Sequence, residues 1–196
     1  MLPTTNFSEF ELLDIVKRIF EFYDVPGNDA ELTARGLVAS DLRGVFSHGV
    51  VRVPMYCERI RQGLVNVIPK MTTKQTSTAS ILLDGDNGLG FVVGTRAMSE
   101  AVDLAKETGV ALVGVKNSGH FGMSAFYLEQ ALEAEMISLV FTNSSPAMPV
   151  WGGKEKFLGA SPFAAAIPGG DKGPFSLDMA CTVTARGKLK YAAQRG

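Results

Sequence analysis

The chain has 196 residues, 46% of them apolar and 20% charged, with a formal net charge of −1. That length supports one sizeable domain or two small ones, and the near-neutral charge without a basic cluster argues against nucleic acid or an anionic membrane as partner. No apolar run reaches spanning length, the first ten residues lack the pattern of a signal peptide, and the two cysteines, Cys57 and Cys181, stand in no metal or redox spacing; together these features predict a reduced, cytoplasmic protein with no membrane partner.

The first element is predicted as a helix. Ser8-Glu9-Phe10-Glu11 is a capping box, and Leu12, Leu13, Val16, Ile19 and Phe20 repeat at helical spacing behind it. Asn28-Asp29-Ala30-Glu31 opens a second helix, which carries Leu32, Leu37, Val38 and Leu42 and stops at Gly44. A third helix ends over residues 59–63. Residues 66–78 are polar, contain a proline and read as extended, so a domain boundary is expected there. This divides the chain into a helical domain, 1–74, and an α/β domain, 75–196.

The second part alternates strands and helices. Strands are predicted over 80–84, 110–115, 136–141, 163–167 and 175–179, the second of them buried. Helices are predicted over 95–108, closed by Gly109, and over 123–134. The alternation argues for an α/β layer. The glycine-rich stretch from Gly85 through Gly88, Gly90 and Gly94 follows a strand, as a dinucleotide loop does. Its spacing is G-x-G-x-x-x-G, and no strand ending in Asp or Glu follows about 20 residues on. It reads as a glycine-rich connection.

Chemistry points to the two histidines. Both sit in short Gly/Ser-rich segments, outside any periodic apolar run. Imidazole titrates nearest neutrality and is the usual proton carrier in catalysis. In Ser47-His48-Gly49, Ser47 is placed to cap a helix on which Arg52 lies at i+4 from His48 and Tyr56 extends the face. A guanidinium beside an imidazole suits a small anionic substrate. Pro54 speaks against a straight helix there, and a surface histidine at a helix start is the plain alternative. His120, in Asn117-Ser118-Gly119-His120-Phe121-Gly122, connects a strand to the next helix, where ligands gather in open α/β layers. A turn histidine bound to backbone is the alternative reading. Asn143-Ser144-Ser145-Pro146 forms a polar loop after another strand, suited to a cofactor or to an ordinary turn. Asp178-Met179-Ala180 ends a strand, where a carboxylate suits ribose hydroxyls or simply a turn. No zinc spacing, P-loop or nucleophile elbow is present, so no metal is expected and a metal-dependent hydrolase is the weakest reading.

Taken in order, these segments resemble a known family. They are Asp41-Leu42-Arg43-Gly44, Ser47 through Tyr56, Gly85 through Gly90, Asn117 through Gly122, Thr142-Asn143-Ser144, Trp151-Gly152-Gly153, Leu177 through Ala180, and Ala185-Arg186-Gly187-Lys188. The chain is similar to the malate/L-lactate dehydrogenases of the second, non-Rossmann type, whose relatives include ureidoglycolate dehydrogenase, sulfolactate dehydrogenase and diketogulonate reductase. The resemblance implies an α/β fold with a helical N-terminal part followed by a mixed-sheet cofactor-binding domain, not a Rossmann fold. It implies an NAD- or NADP-dependent oxidoreductase acting on a small 2-hydroxy or 2-oxo acid, usually as a homodimer. By that resemblance His48 or His120 is the proton donor and acceptor, Arg52 holds the substrate carboxylate, and Ser144, Asp178, Met179 and Ala180 lie against the cofactor. Family members continue past the equivalent of Gly196, so the cofactor domain is expected to be incomplete. The alternative is a truncated relative, catalytically inactive, that serves only as a folding or dimerisation unit.

Overall fold

The helix at the start of the chain forms where the capping box places it. In the computed structural model, which describes residues 6–182 and 193, α1 spans Glu9–Phe22. The Ser8 hydroxyl accepts from the Glu11 amide at 3.3 Å, and the Ser8 amide donates back to the Glu11 carboxylate at 2.8 Å. Reciprocal bonds of this kind satisfy two amides that the first turn leaves without partners. The second helix, α2 (Gly27–Leu42), departs from expectation at its start. Its N-cap is Pro26, with no side-chain cap, and the Asn28 segment lies inside the first turn. Gly44, at φ 72°, follows its C-terminal turn as expected.

Two short 3₁₀ turns, Phe46–His48 and Val50–Arg52, precede α3 (Val53–Arg61). The expected helix running from Ser47 is therefore broken. Gly49 takes φ −86° and ψ −152°, an extended conformation that interrupts the helical path. Pro54 falls in the first turn of α3, where its missing amide costs nothing and its fixed φ suits the helix.

Two three-stranded sheets follow. β1 (Thr72–Ser77) pairs antiparallel with β2 (Ser80–Gly88), which pairs parallel with β3 (Leu112–Ser118). β4 (Ser138–Phe141), β5 (Phe163–Ile167) and β6 (Phe175–Met179) form an antiparallel sheet with β5 in the centre. The expected boundary between residues 74 and 75 falls inside β1. α4 (Gly90–Thr108) joins β2 to β3 and ends at Gly109, which is left-handed at φ 79°. α5 (Ala125–Glu133) joins β3 to β4. The fold is thus α/β, with helices first and mixed and antiparallel sheets after.

Two expectations in this half are corrected. α4 begins at Gly90, not at residue 95, so the end of the glycine-rich stretch is helix and its beginning is strand. The glycines are needed for close packing. A Cβ on Gly94 would stand 2.6 Å from the Tyr127 ring, and one on Gly90 would stand 2.2 Å from the His120 carbonyl oxygen. β3 is mostly exposed, Leu112 and Val115 included, where a buried strand was expected. The buried strand is β5, whose three alanines lie at 8% exposure or less. Its small side chains let Met123 and Leu128, at the start and middle of the α5 region, pack directly on the sheet.

The main core joins the helices to the sheet-bearing part. Val16, Phe20, Ala30, Ala34 and Leu37 from α1 and α2 pack with Tyr56, Leu89, Phe91 and Tyr127. Phe91 fills space that side chains at Gly36 and Gly122 would otherwise occupy, each Cβ falling 2.2 Å from its ring. One aromatic side chain therefore touches α2 on one side and the loop after His120 on the other.

Candidate functional site

The 3₁₀ turns before α3 are shaped by one carboxylate. Asp41, near the end of α2, accepts from the Val50 amide at 2.8 Å. Its oxygen lies 1.9 Å from where a Cβ on Gly49 would stand, so any side chain there would displace it. Burial pushes the Asp41 carboxyl above its usual range. The loop is closed from the other side by Arg52, whose Nε donates to the Ser47 carbonyl at 2.6 Å. His48 is thereby held half-buried, with Nδ1 2.9 Å from the Ser47 hydroxyl.

His120 arrives from the loop after β3. Its Nδ1 lies 2.6 Å from the Tyr56 hydroxyl and 3.3 Å from the Gly122 amide. The same hydroxyl is 3.2 Å from the His120 carbonyl oxygen. Tyr127 fixes the next residue by donating its hydroxyl to the Phe121 carbonyl. The result is a stacked imidazole pair, His48 and His120, with ring centroids 5.8 Å apart and planes 19° from parallel.

Both rings are held neutral at pH 7. Burial, followed by the positive charge of Arg52, lowers the pKa of His48 to about 4. Burial also lowers that of His120 to about 4, with His48, Arg52 and Arg59 adding to the effect. Desolvation disfavours the charged form, and neighbouring cations disfavour it further. A local field of this sign favours an anion, and the terminal nitrogens of Arg52 make no hydrogen bond among the described residues.

The pair lines a broad cleft of about 2210 Å³. Typical small-molecule sites enclose roughly 300–1,000 Å³, so this cleft has room for a substrate and a larger cofactor together. Ser144, Asp178, Met179 and Ala180 line it as well. Arg52 borders the pair through the Ser47 carbonyl and is not among the residues that line the cleft. The Ser144 hydroxyl accepts from the Ser161 amide at 3.0 Å. Asp178 accepts from the Ala125 amide at 2.8 Å, at the first turn of α5. Although Asp178 is exposed as a residue, its carboxyl is turned into that helix start, and desolvation there pushes its pKa up. Ala185-Arg186-Gly187-Lys188 lies outside the described residues.

Two residues were not singled out from the sequence as part of the site. Asp41 stands in a quoted motif, but nothing local shows that it braces a loop. Tyr56 was placed on the same face as His48, yet its hydroxyl serves His120. The signal available was a tyrosine within a helical turn of an Arg/His segment, which does not name a partner 64 positions on. Among the described residues no group of three or more His, Cys, Asp or Glu is placed to hold a metal ion. No helix among them is long and apolar enough to cross a membrane.

Comparison with known proteins identifies the family. A sequence model of the malate/L-lactate dehydrogenase family matches residues 7–196. The chain is 42% identical over 184 residues to L-sulfolactate dehydrogenase of Methanocaldococcus jannaschii, covering 94% of this chain and 52% of that protein. It is 38% identical over 166 residues to the ureidoglycolate dehydrogenase (NAD(+)) of Escherichia coli K12, covering 85% of this chain and 48% of that one. The structure of malate dehydrogenase from Pyrococcus horikoshii superposes with a TM-score of 0.91 at 42% identity, covering 95% of this chain and 53% of that one. The chain spans about half the length of the curated relatives it matches. On these grounds, the chain belongs to the malate/L-lactate dehydrogenase family.

Proposed function

We propose that the chain takes part in reversible hydride transfer between NAD or NADP and a small 2-hydroxy or 2-oxo acid of the malate or lactate type. The observation that carries the reading is the stacked pair of neutral histidines at the wall of a wide cleft, with the Arg52 guanidinium close enough to act on both rings. Oxidising a hydroxyl requires loss of its proton, and a neutral imidazole has a nitrogen lone pair free to receive it. Reduction requires a donor at the carbonyl oxygen, and the same pair supplies it. Arg52 attracts the substrate carboxylate and, through the Ser47 carbonyl, sets the position of His48.

The cleft fits a nicotinamide cofactor in size and in the chemistry of its walls. Ser144 and the Asp178-Met179-Ala180 segment would hold it, through hydroxyl, backbone and thioether contacts beside the histidines. When bound, the cofactor supplies or accepts the hydride. Asp178 supports this wall by anchoring α5. A homodimer in a reducing, cytoplasmic setting accords with the free Cys57 and Cys181 and with a large apolar exterior that includes the fully exposed Trp151.

The direct test is oxidation of NADH and NADPH by the purified chain with a panel of 2-oxo acids. Turnover that falls at least ~100-fold in His48→Ala and in His120→Ala supports the reading. Failure of either variant to change turnover removes that histidine from the chemistry. A folded chain without turnover favours the alternative, a folding or dimerisation unit, which its half-length match also allows.

A further inference from the structure

The two hydrogen bonds to Nδ1 of His120 contain more than a position. A backbone amide can only donate. Gly122 N–H points at Nδ1 from 3.3 Å, so Nδ1 presents its lone pair. Tyr56 lies 2.6 Å from the same nitrogen and is buried at 2% exposure. Burial pushes its hydroxyl pKa up, so it keeps its one proton; of the two acceptors in reach, Nδ1 at 2.6 Å is nearer than the His120 carbonyl at 3.2 Å, which makes the nitrogen its acceptor. A proton on Nδ1 would confront the Gly122 N–H directly. That disfavours the Nδ1-protonated tautomer, and it disfavours the doubly protonated imidazolium for the same reason.

Resting on the dehydrogenase reading above, we propose that Tyr56 and the Gly122 amide are positioning groups that lock His120 as the neutral, Nε2-protonated tautomer. In this form His120 meets the substrate oxygen as a hydrogen-bond donor. Nε2 makes no hydrogen bond among the described residues, and His120 lines the cleft. The groups around the ring agree with neutrality. His48, Arg52 and Arg59 approach from the segment before α3 and from α3 itself. Tyr127 of α5 directs its hydroxyl to the Phe121 carbonyl. No carboxylate hydrogen-bonds to either imidazole among the described residues. The consequence is a division of labour: His120 polarises the substrate oxygen, and in the oxidation direction the hydroxyl proton passes to a ring nitrogen of His48.

The test uses the presence of only two histidines. In the chain labelled with ¹⁵N-histidine, long-range ¹H–¹⁵N spectra resolve two rings, and His120→Gln assigns them. For His120 the expected pattern at pH 7 is a protonated Nε2 with a lone-pair Nδ1, unchanged on titration to pH 5. Tyr56→Phe keeps the ring packing and removes the donor. It is expected to introduce a population of the other tautomer and to raise the His120 pKa by on the order of one unit. A wild-type His120 protonated on Nδ1, or averaged between tautomers, overturns the proposal without Tyr56→Phe having to fold. An unchanged tautomer and titration in folded Tyr56→Phe removes Tyr56 from it. The spectra do not depend on turnover, so a failure here is distinct from a failure of the dehydrogenase reading.

Discussion

The carbonyl oxygen of His120 lies 2.2 Å from the point where a Cβ on Gly90 would stand. The first residue of α4 and the backbone of the histidine loop therefore share one contact. Gly90→Ala has to move a backbone atom, because no flexible side chain is there to yield. We predict a loss of about 1–3 kcal/mol, as for an overpacked core, together with reduced turnover as His120 shifts. Thermal unfolding and steady-state kinetics on the same sample check this. Normal stability and activity would show that the loop relaxes freely.

Arg52 has two roles in the site, and a substitution series separates them. Its Nε holds the Ser47 carbonyl, while its charge reaches both imidazoles. A hydrogen bond to a charged group contributes about 1.5–3 kcal/mol, so Arg52→Ala should raise KM for the 2-oxo acid roughly ten- to a hundredfold. Arg52→Lys keeps the charge but not the bidentate geometry and should fall between. Equal KM values in all three proteins would place the substrate carboxylate elsewhere.

Asp178 separates a structural part from a cofactor part. Its carboxylate caps the first turn of α5, and loss of such a cap costs about 1 kcal/mol. Asp178→Ala should lower stability by that amount, whereas Asp178→Asn should retain most of it. If the charge also serves the cofactor, Asp178→Asn weakens NADH binding while leaving the melting temperature nearly unchanged. Calorimetric titration with NADH beside a thermal melt distinguishes the two parts.

Stability should fall with acid over a defined window. The folded chain holds His48 and His120 at about 4, below the ordinary histidine value near ~6.5. Between these values the unfolded chain binds more protons, so stability declines as pH drops through the window and is unaffected above it. For each histidine, every tenfold weakening of proton binding on folding is worth about 1.4 kcal/mol. Asp41 and Asp178, whose pKa values burial raises, oppose the trend at the acid end. Urea midpoints at pH 7.5, 5.5 and 4.5 should decline in the wild type and flatten in a His48→Gln/His120→Gln variant. Parallel profiles would show that the pair is not desolvated as described.

Features set by neighbouring residues were readable from the chain. The Ser8–Glu11 capping box and the left-handed Gly109 are settled within one turn of sequence. The connection between strand and helix that carries His120 was likewise readable from its glycines and polar residues. Features set by distant packing were hidden. The start of α4 looked like a turn because glycines lower helix propensity, while the reasons for Gly90 and Gly94 lie in His120 and Tyr127. The loop at His48 looked like a helix because its residues have helical spacing. Asp41, brought against Gly49 by the end of α2, decides otherwise. Tyr56 was visible as a residue, but its partner becomes known only once α3 docks beside the β3 loop.

The placement of Phe91 gives the molecule a mechanical property. Its ring rests on Gly36 of the helical core and on Gly122 of the His120 loop, and it packs edge-on to Phe126 at 5.7 Å. A loop fastened in this way cannot open while the helices stay docked. Amide exchange around His120 should therefore be slow and should share the opening free energy of α2. Heat or denaturant would then release the His120 loop and melt the helical layer in one transition, with no window in which a form with docked helices and an open loop accumulates.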